Sequence, residues 1–335
     1  MNPATRVPAT GVASRAMENA NALVENQPAG QAAAPGAGGA RDARSKAPVF
    51  VLGCGRSGTK FLYHTLLSAG GFAVYYAESN AFNLLGLRFG NLASRRNRRQ
   101  LLDAYFTSKL FHRTGLDPKE IEERVMEDCR NAGDFLRIVM EAIARKQGVD
   151  RWAECTPLHL LYLPLIKQVI PDALVVHIIR DGRDVTASLY RIGWIRPLPW
   201  DRARAFVVPA IYWRWVVSKG RRYGRALGAD YMEVHYEDLV QNPRATLARI
   251  GKFIEHDLDY DRIQRVRWDR CTIQILRFAV TARRLKRTPS AAGNACSLRR
   301  RFATWSAASA MCSSIPGTHS KPRQRSGVRR GLCVS

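Results

Sequence analysis

The chain has 335 residues, a hydrophobic content of 46% and a formal net charge of +25 at pH 7. The length suits one large or two ordinary domains, and no stretch approaches the roughly eighteen uncharged apolar residues of a membrane-spanning helix. After Asp269 the chain has fourteen Lys or Arg and no Asp or Glu, so most of the excess charge lies in its last 66 residues. The basic balance is therefore a local property, and we expect no specific nucleic-acid partner.

Residues 1–47 are rich in Ala, Gly, Pro and Asn and have no sustained apolar period. This composition predicts an unstructured tail. A cationic start followed by an apolar core, the pattern of a secretory signal, does not occur there. We therefore expect a cytoplasmic protein.

Residues 49–60 begin as an apolar, β-branched run, break into glycines and then enter a helical pattern. Glycines allow positive φ and a close approach of the backbone to a ligand, and the unpaired amides of a helix start attract anions. Arg56 and Lys60 add positive charge beside those amides. The segment predicts a strand, a phosphate-binding loop and a helix. The loop glycines are Gly53, Gly55 and Gly58.

The order of residues in this loop differs from that of nucleotide triphosphatases. Their loop reads G-x-x-x-x-G-K-[ST], whereas here Thr59 precedes Lys60. A kinase or NTPase stays open as an alternative, but it would also need a metal-binding aspartate after a strand. Asp181 is the candidate for that role.

Residues 53–59, Gly-x-Gly-Arg-Ser-Gly-Thr, resemble the phosphosulfate-binding loop of sulfotransferases that use 3′-phosphoadenosine 5′-phosphosulfate (PAPS), which commonly reads G-x-P-[KR]-S-G-T. Gly55 replaces the usual proline. The resemblance implies that this loop binds the donor and that Arg56 also acts in catalysis, as an electrostatic group because Arg stays charged. The implied donor-binding residues of the loop are Gly55, Arg56, Ser57, Gly58, Thr59 and Lys60.

A second strand is predicted at Phe72 to Tyr76, and Glu78 follows its carboxyl end, where open α/β sheets build their sites. Glu78 lies 22 residues after Arg56. Protein-tyrosine sulfotransferases and several bacterial relatives are similar in carrying a catalytic glutamate at about this offset. The resemblance implies that Glu78 is the general base, while an N-cap or an ion pair is the alternative.

Residues 84–147 have a helical pattern and predict an insertion that covers the acceptor site. Arg88 and the basic cluster at 95–99 could attract an anionic acceptor, or they could form a solvated helix face.

A brief strand at 151–154 leads into Glu154-Cys155-Thr156-Pro157-Leu158-His159, which resembles the acidic-Lys-Thr-Pro-x-His passage of bacterial sulfotransferases. Cys155 replaces the lysine. His159 is a second candidate for the catalytic base, and a capping or packing role is its alternative. Leu160 to Ile170 predict an amphipathic helix.

Residues 173–190 again predict a buried strand that ends in charge and opens a helix. Arg180 stands at the strand end and Ser188 follows about two helical turns later, so both can converge on one oxyanion. In sulfotransferases an Arg and a Ser at this spacing hold the 3′-phosphate of PAPS. The alternatives are an Arg180–Asp184 salt bridge and a solvated Ser188.

A long helix is predicted from Asp201 to Arg225, and a final strand from Tyr231 to His235. The run Tyr-Glu-Asp-Leu-Val-x-x-Pro that follows resembles a stretch recurrent in sulfotransferases. On that resemblance Tyr236 lines the donor site, with packing as the alternative.

Residues 257–335 are basic and poor in acids, and their cysteines show no ligand spacing. They predict either a disordered tail or a stretch translated out of frame. The closing G-x-W-[KR] segment of related enzymes is absent from them. The four cysteines are Cys271, Cys296, Cys312 and Cys333.

Together these patterns predict one α/β domain at 48–256, with a P-loop-like parallel sheet and helices on both faces. The implied function is transfer of a sulfuryl group from PAPS to a hydroxyl or amine, with no metal. The acceptor is left open among a small molecule, a carbohydrate, a lipid and a peptide. A kinase or a basic nucleic-acid-binding protein is the alternative.

Overall fold

A computed structural model describes residues 44–195 and 202–266. Its five strands form one parallel sheet with the order β2-β3-β1-β4-β5. The strands are β1 (Val49–Leu52), β2 (Phe72–Ala73), β3 (Arg151–Glu154), β4 (Leu174–Ile179) and β5 (Tyr231–His235). The predicted α/β fold with a parallel sheet is confirmed.

The central strand β1 places the glycine loop in the middle of the sheet. Val49 pairs with Ala153 of β3 on one side, and Leu52 pairs with His177 of β4 on the other. Because all strands run in the same direction, the segments that follow β1 and β4 leave the same edge of the sheet. The two predicted halves of the donor site therefore begin at neighbouring strand ends.

Helices cover both faces of the sheet. Successive side chains of a strand point to opposite faces, so Phe50 and Leu52 belong to one hydrophobic core and Val49 and Val51 to the other. The α-helices are α1 (Thr59–Ser68), α2 (Gly86–Phe89), α3 (Arg95–Phe106), α4 (Lys109–Thr114), α5 (Pro118–Asp128), α6 (Ala132–Lys146), α7 (Leu163–Val169), α8 (Gly182–Ile192), α9 (Val207–Leu227), α10 (Tyr236–Gln241), α11 (Pro243–Ile254) and α12 (Tyr260–Arg265).

The predicted helical insertion lies between β2 and β3. It starts with a π-helical turn at Ala81–Leu85 and continues through α2 to α6. Its helix starts follow local chemistry: Asp117 caps α5 just before a proline, and Asn131 forms a capping box with Asp134 at the start of α6.

Strand β2 is shorter than the predicted Phe72 to Tyr76. The Gln147 side chain accepts a hydrogen bond from the Val74 N–H at 2.7 Å and donates one to the Val74 carbonyl at 3.0 Å. A side-chain amide thus replaces the neighbouring strand at Val74. Sequence patterns did not predict this contact, because Gln147 is 73 residues away from Val74 in the chain.

Two predicted helices are also divided differently. The segment predicted as a helix from Leu160 to Ile170 is a 3-10 helix at Pro157–Tyr162 followed by α7, in which Pro164 is one of the first residues. A proline in that place has no N–H to continue an α-helix from the preceding turn. The predicted helix from Asp201 to Arg225 is a 3-10 turn at Arg202–Arg204 followed by α9.

The folded region extends slightly beyond 48–256 at both ends. Ala47 is buried and the Arg44 side chain donates to the Phe253 carbonyl at 2.9 Å, although both residues fall within the predicted tail at 1–47. Helix α12 likewise falls within the predicted tail at 257–335. The rest of both tails lies outside the described residues and stays a prediction. Among the helices at 44–195 and 202–266, none combines the length and apolarity needed to cross a bilayer.

Candidate functional site: a glycine loop and two arginines

The loop between β1 and α1 makes a tight turn over the sheet edge. The Ser57 N–H donates to the Cys54 carbonyl at 3.0 Å, and both Arg56 and Gly58 adopt positive φ, 75° and 97°. A Cβ at Gly53 would lie 2.4 Å from the Ile178 carbonyl oxygen, so this position accepts glycine alone. An arginine in the left-handed region is uncommon for a residue with a Cβ and indicates a backbone held for a function.

The inside of this loop contains unused donors. The Ser57 hydroxyl is fully buried and has no hydrogen-bond partner among the described residues. No side chain caps the start of α1, and its first turn contains no acidic residue. Buried polar groups normally have partners, so this loop has the donors and the helix dipole that an anion would complete.

Arg56 connects the loop to the second half of the predicted site. Its Nε donates to the Ser188 Oγ at 3.0 Å, across 132 residues of sequence. Its guanidinium also lies 6.0 Å from the ring of Trp194, and a Cβ at Gly55 would come within 3.3 Å of the same ring. No local sequence pattern pointed to Trp194, because its exposed position beside the glycine loop appears only in the fold.

Arg180 reaches the loop through Tyr236. The guanidinium carbon lies 4.6 Å from the Tyr236 ring centroid, and that ring would be 2.5 Å from a Cβ at Gly58. Arg180 also forms the alternative salt bridge to Asp184, at 2.9 Å. Its Nε is buried without a hydrogen-bond partner among the described residues.

The two guanidinium groups lie along one face of α8. Asp184 and Ser188 are four residues apart on this helix and therefore share a face. Arg180 contacts the first of them and Arg56 contacts the second. The structure thus brings both cations to the same side of the helix that starts at the sheet edge.

Glu78 lies beside the start of α1. Its carboxylate forms a salt bridge with Lys60 at 3.1 Å, and both side chains are partly exposed. The ion-pair alternative for Glu78 is therefore present, with a partner from the loop itself. One turn further along α1, His64 stacks on Tyr76 with a centroid distance of 5.9 Å. Burial, together with the Lys60 charge, lowers the pKa of His64, which keeps it neutral at pH 7.

Cys155 lies next to the loop at the position where related sequences carry a lysine. It is buried and hydrogen-bonded to the Thr59 side chain, and burial, reinforced by the nearby Glu154 charge, raises its pKa. The thiol is therefore uncharged, and the positive charge in this region comes from Arg56 and Lys60.

His159 has neither ring nitrogen open to a ligand. It is fully buried, its Nδ1 bonds to Glu154 at 3.1 Å, and its Nε2 accepts from the Phe82 N–H at 3.3 Å. An acceptor hydroxyl could not reach this ring without breaking one of those bonds. These contacts favour the packing alternative for His159, and its role as a catalytic base stays a prediction.

Glu154 is the centre of a buried network that the sequence analysis did not identify. Its carboxylate accepts from Ser79 at 2.8 Å, from the Thr156 N–H at 3.1 Å, from the Thr156 hydroxyl and from His159. Burial opposes ionisation, but His159 and these hydrogen bonds hold the pKa of Glu154 below its usual value. The network joins the segment after β2 to the segment after β3. A strand that ends in an acid before Thr-Pro was its only sequence signal.

Asp181, the aspartate that a magnesium-dependent NTPase would require, is engaged within α8. It caps the helix by accepting from the Arg183 N–H at 2.8 Å and pairs with the Arg183 guanidinium. Within the described parts of the chain, no group of three or more His, Cys, Asp or Glu is arranged to hold a metal ion.

Solved structures similar to this chain include three sulfotransferases. The sulfotransferase domain of the Synechococcus PCC 7002 olefin synthase is 21% identical, with 68% of this chain and 79% of that chain covered and a TM-score of 0.48. The sulfotransferase domain of the curacin biosynthetic pathway is 16% identical, with 67% of this chain and 79% of that chain covered and a TM-score of 0.44. Sulfotransferase STF9 from Mycobacterium avium is 17% identical, with 76% of this chain and 75% of that chain covered and a TM-score of 0.39.

The sequence itself matches a family profile over most of its described part. Residues 48–260, more than half of the chain, match the profile described as the sulfotransferase family. This span contains the glycine loop, Glu78, the Glu154 network, and Arg180 with Ser188. On this match, the chain belongs to the sulfotransferase family.

Proposed function

We propose that the protein transfers a sulfuryl group from PAPS to a hydroxyl or amine of an acceptor. One observation carries the proposal: Arg56 of the glycine loop touches Ser188 of α8, while Arg180 reaches the same loop through Tyr236. The two proposed anion-binding elements, one after β1 and one after β4, are therefore in contact with each other at one edge of the sheet. A nucleotide with a phosphosulfate at one end and a 3′-phosphate at the other matches two such elements.

The unused donors of the loop suit the phosphosulfate end. The buried Ser57 hydroxyl and the uncapped N–H groups of α1 are the groups that an anion would satisfy. At the other end, Arg180 and Ser188 are assigned to the 3′-phosphate and Tyr236 to the wall of the donor site. The proposed donor contacts of the loop are Gly55, Arg56, Ser57, Gly58, Thr59 and Lys60.

In the reaction the acceptor oxygen or nitrogen forms a bond to sulfur, and the bond between sulfur and the bridging oxygen of the donor breaks. The electron pair of that bond goes to the nucleotide phosphate, where negative charge grows. Arg56 and the loop amides stabilise this charge, the type of electrostatic contribution that dominates related transfers. Glu78 takes the acceptor proton, and Lys60 at 3.1 Å holds its carboxylate at the loop.

Nucleotide-dependent stabilisation tests the donor assignment. We expect 3′,5′-diphosphoadenosine to raise the melting temperature of the full chain and magnesium-ATP to leave it unchanged. The Arg180→Ala and Ser188→Ala variants should lose most of the shift. Arg183→Ala is the matched control, because Arg183 lies on the same helix and pairs with Asp181.

The opposite preference, a shift with magnesium-ATP alone, would support a kinase. If 3′,5′-diphosphoadenosine raised the melting temperature equally in Arg180→Ala and in Arg183→Ala, Arg180 would not be a donor contact. Transfer of labelled sulfate from PAPS to any acceptor, and its loss in Arg56→Ala by a factor of about 10² to 10³, completes the test.

A further inference from the structure

An apolar cleft of about 200 Å³ lies beneath the helical insertion. Its walls come from the turn at 81–89, from α3 and α4, and from α6. The lining is mainly hydrophobic and includes Leu84, Leu85, Phe89, Leu136, Val139 and Met140. Pockets for drug-sized ligands usually exceed about 300 Å³, so this cleft suits a smaller body of one or two rings or a short chain.

The segment that follows Glu78 forms one wall of the cleft. Ser79 and Asn80 both line it, and they directly follow Glu78 in the chain. Ser79 is held by its hydrogen bond to the buried Glu154 at 2.8 Å. The cleft is therefore lined by the two residues that directly follow, in the chain, the residue that the proposed reaction uses as a base.

Two polar groups of the cleft have unused capacity. Tyr105 is 7% exposed, and its hydroxyl has no hydrogen-bond partner among the described residues. Arg88 is exposed, stacks over Phe89 at 5.2 Å and forms no ion pair within 44–195 and 202–266. A buried hydroxyl without a partner and an arginine without a counter-ion both point to a ligand with a polar or anionic group.

The neighbouring arginines of the basic cluster differ from Arg88. Arg98 is buried and donates to the carbonyls of Leu92, Ala93 and Cys129. Arg99 pairs with Glu122 at 2.6 Å. Arg98 is thus a structural residue and not part of a solvated face, and among the described residues Arg88 is the cation that lines the cleft.

We propose that the acceptor is a small amphipathic hydroxy compound. Its apolar body occupies the cleft, its anionic substituent lies against Arg88, and its hydroxyl points toward Glu78. This inference rests on the proposed function for the transfer step, in which the hydroxyl oxygen bonds to sulfur and its proton passes to Glu78. A carbohydrate acceptor is disfavoured because its many hydroxyls would lose their water against apolar walls.

Binding of matched probes to the full chain tests the class of acceptor without requiring turnover. The probes are 6-hydroxy-2-naphthoate, 2-naphthol and N-acetylglucosamine, titrated with and without 3′,5′-diphosphoadenosine. We expect 6-hydroxy-2-naphthoate to bind about 1.4- to fivefold more tightly than 2-naphthol, the range of an exposed ion pair. The sugar should show no saturable binding.

Variants of the cleft assign that binding to its walls. Arg88→Ala should remove the difference between the two naphthalene probes, whereas Arg96→Ala, an exposed arginine on α3 that does not line the cleft, should keep it. Ala104→Phe should fill the cleft and weaken both probes at least tenfold, while Ala104→Ser retains them. Tyr105→Phe should weaken 6-hydroxy-2-naphthoate without lowering the melting temperature, because the hydroxyl it removes has no partner in the part of the chain that the structure describes.

The outcomes separate this inference from the proposed function. If 3′,5′-diphosphoadenosine stabilises the chain but only the sugar binds or accepts sulfate, the amphipathic acceptor is wrong and the donor assignment stands. The same holds if Arg88→Ala leaves the preference for the carboxylate unchanged. If the naphthalene probes bind as expected but the nucleotide has no effect, the cleft is supported as a ligand site and sulfuryl transfer is overturned.

Discussion

Arg56 has a left-handed backbone and two side-chain contacts that join the glycine loop to the helix after β4. It adopts positive φ at 75°, donates to Ser188 at 3.0 Å and lies beside Trp194. The backbone strain costs about 1–3 kcal/mol and persists only where surrounding contacts hold it. A glycine in this place would relieve the strain but would lose the cation, so the sequence retains charge at the expense of stability.

The Glu78→Gln variant tests the role of Glu78 in catalysis separately from any role in donor binding. Glu78→Gln should lower kcat for sulfate transfer by about 10² to 10⁴, because the amide cannot accept the proton. The thermal shift with 3′,5′-diphosphoadenosine should persist, since Glu78 is not among the proposed donor contacts. Steady-state kinetics with labelled PAPS measures the first effect. Unchanged kcat in this variant would assign the base elsewhere, with His64 as the neighbouring candidate.

We expect the main role of Glu154 to be structural, so its replacement should lower the free energy of unfolding. Glu154→Ala would leave the donors of Ser79, Thr156 and His159 without a buried acceptor. We expect the free energy of unfolding to fall by about 3–5 kcal/mol, measured by urea denaturation. Glu120→Ala, which removes an exposed salt bridge to Arg145, is the control and should cost less than about 1 kcal/mol. A loss as small as that of the control would show that the network has no structural role.

At the scale of elements, the start of α1 and the start of α10 are packed against each other through Gly58 and Tyr236. A Cβ at Gly58 would meet the Tyr236 ring at 2.5 Å, and the φ of 97° disfavours any side chain. Gly58→Ala should therefore destabilise the protein and abolish nucleotide binding. The Gly58→Ala, Tyr236→Ala double variant should recover part of the stability, because the ring is removed but the φ is not. Equal melting temperatures of the single and double variants would exclude the steric cause.

The pairing of β4 with β5 predicts an acid sensitivity centred on His177. The Tyr231 hydroxyl donates to Glu233 at 2.9 Å, so its oxygen must accept from His177 Nδ1, which lies 2.6 Å away. Burial, with the charges of Arg221 and His235, lowers the pKa of His177 from 6.5 to about 3. Its neutral form therefore contributes stability that is complete above pH 6.5 and is lost as the pH falls toward 3, because the unfolded chain takes up the proton first.

The His177→Gln variant isolates this contribution. It removes the titrating group, so its unfolding free energy should fall less steeply between pH 6.5 and 3, by at most about 1.4 kcal/mol per pH unit relative to the unchanged chain. Denaturant unfolding at several pH values gives the two slopes. Parallel slopes in this window would contradict the assignment of His177.

The elements also show where sequence patterns sufficed. Local sequence placed strands β1, β3, β4 and β5, and β1 and β4 are mainly apolar runs that end at a glycine or at charged residues. Strand β2 was overestimated because Gln147, distant in the chain, takes over the hydrogen bonds of Val74. Local signals find elements whose ends are set by local chemistry, and they fail where a long-range side chain ends the element.

At the scale of the whole molecule, residues 44–47 connect distant parts of the folded unit. Arg151 is buried and donates to the carbonyls of Ala47 and Arg44, at 2.8 and 2.9 Å. Arg44 in turn donates to the Ala229 carbonyl at 2.6 Å and to Asp230 at 3.3 Å. Burial lowers the pKa of Arg151 to about 10, a sign of how much that guanidinium depends on its acceptors.

Truncation from the amino end tests this connection. A chain that starts at residue 43 should keep the melting temperature of the full chain, whereas one that starts at residue 48 should melt several degrees lower. The physical reason is that the second truncation leaves a buried guanidinium without its carbonyl partners. Differential scanning calorimetry compares the two. An equal melting temperature for both chains would show that residues 44–47 contribute nothing.

The sequence by itself determined the fold class and located the glycine loop between a strand and a helix, because glycine spacing and buried runs act locally in the chain. It also identified Glu78, Arg180 and Ser188 as site residues, whose roles remain proposals. Only the tertiary structure decided that Arg56 meets Ser188, that Tyr236 lies between Arg180 and the loop, and that His159 is buried against Glu154. The contacts of Arg56 and of Tyr236 join segments that are tens to more than a hundred residues apart, and the register of a parallel sheet brings such segments to one edge. The contact between His159 and Glu154 spans only five residues, and it is the burial of both side chains that the sequence did not reveal.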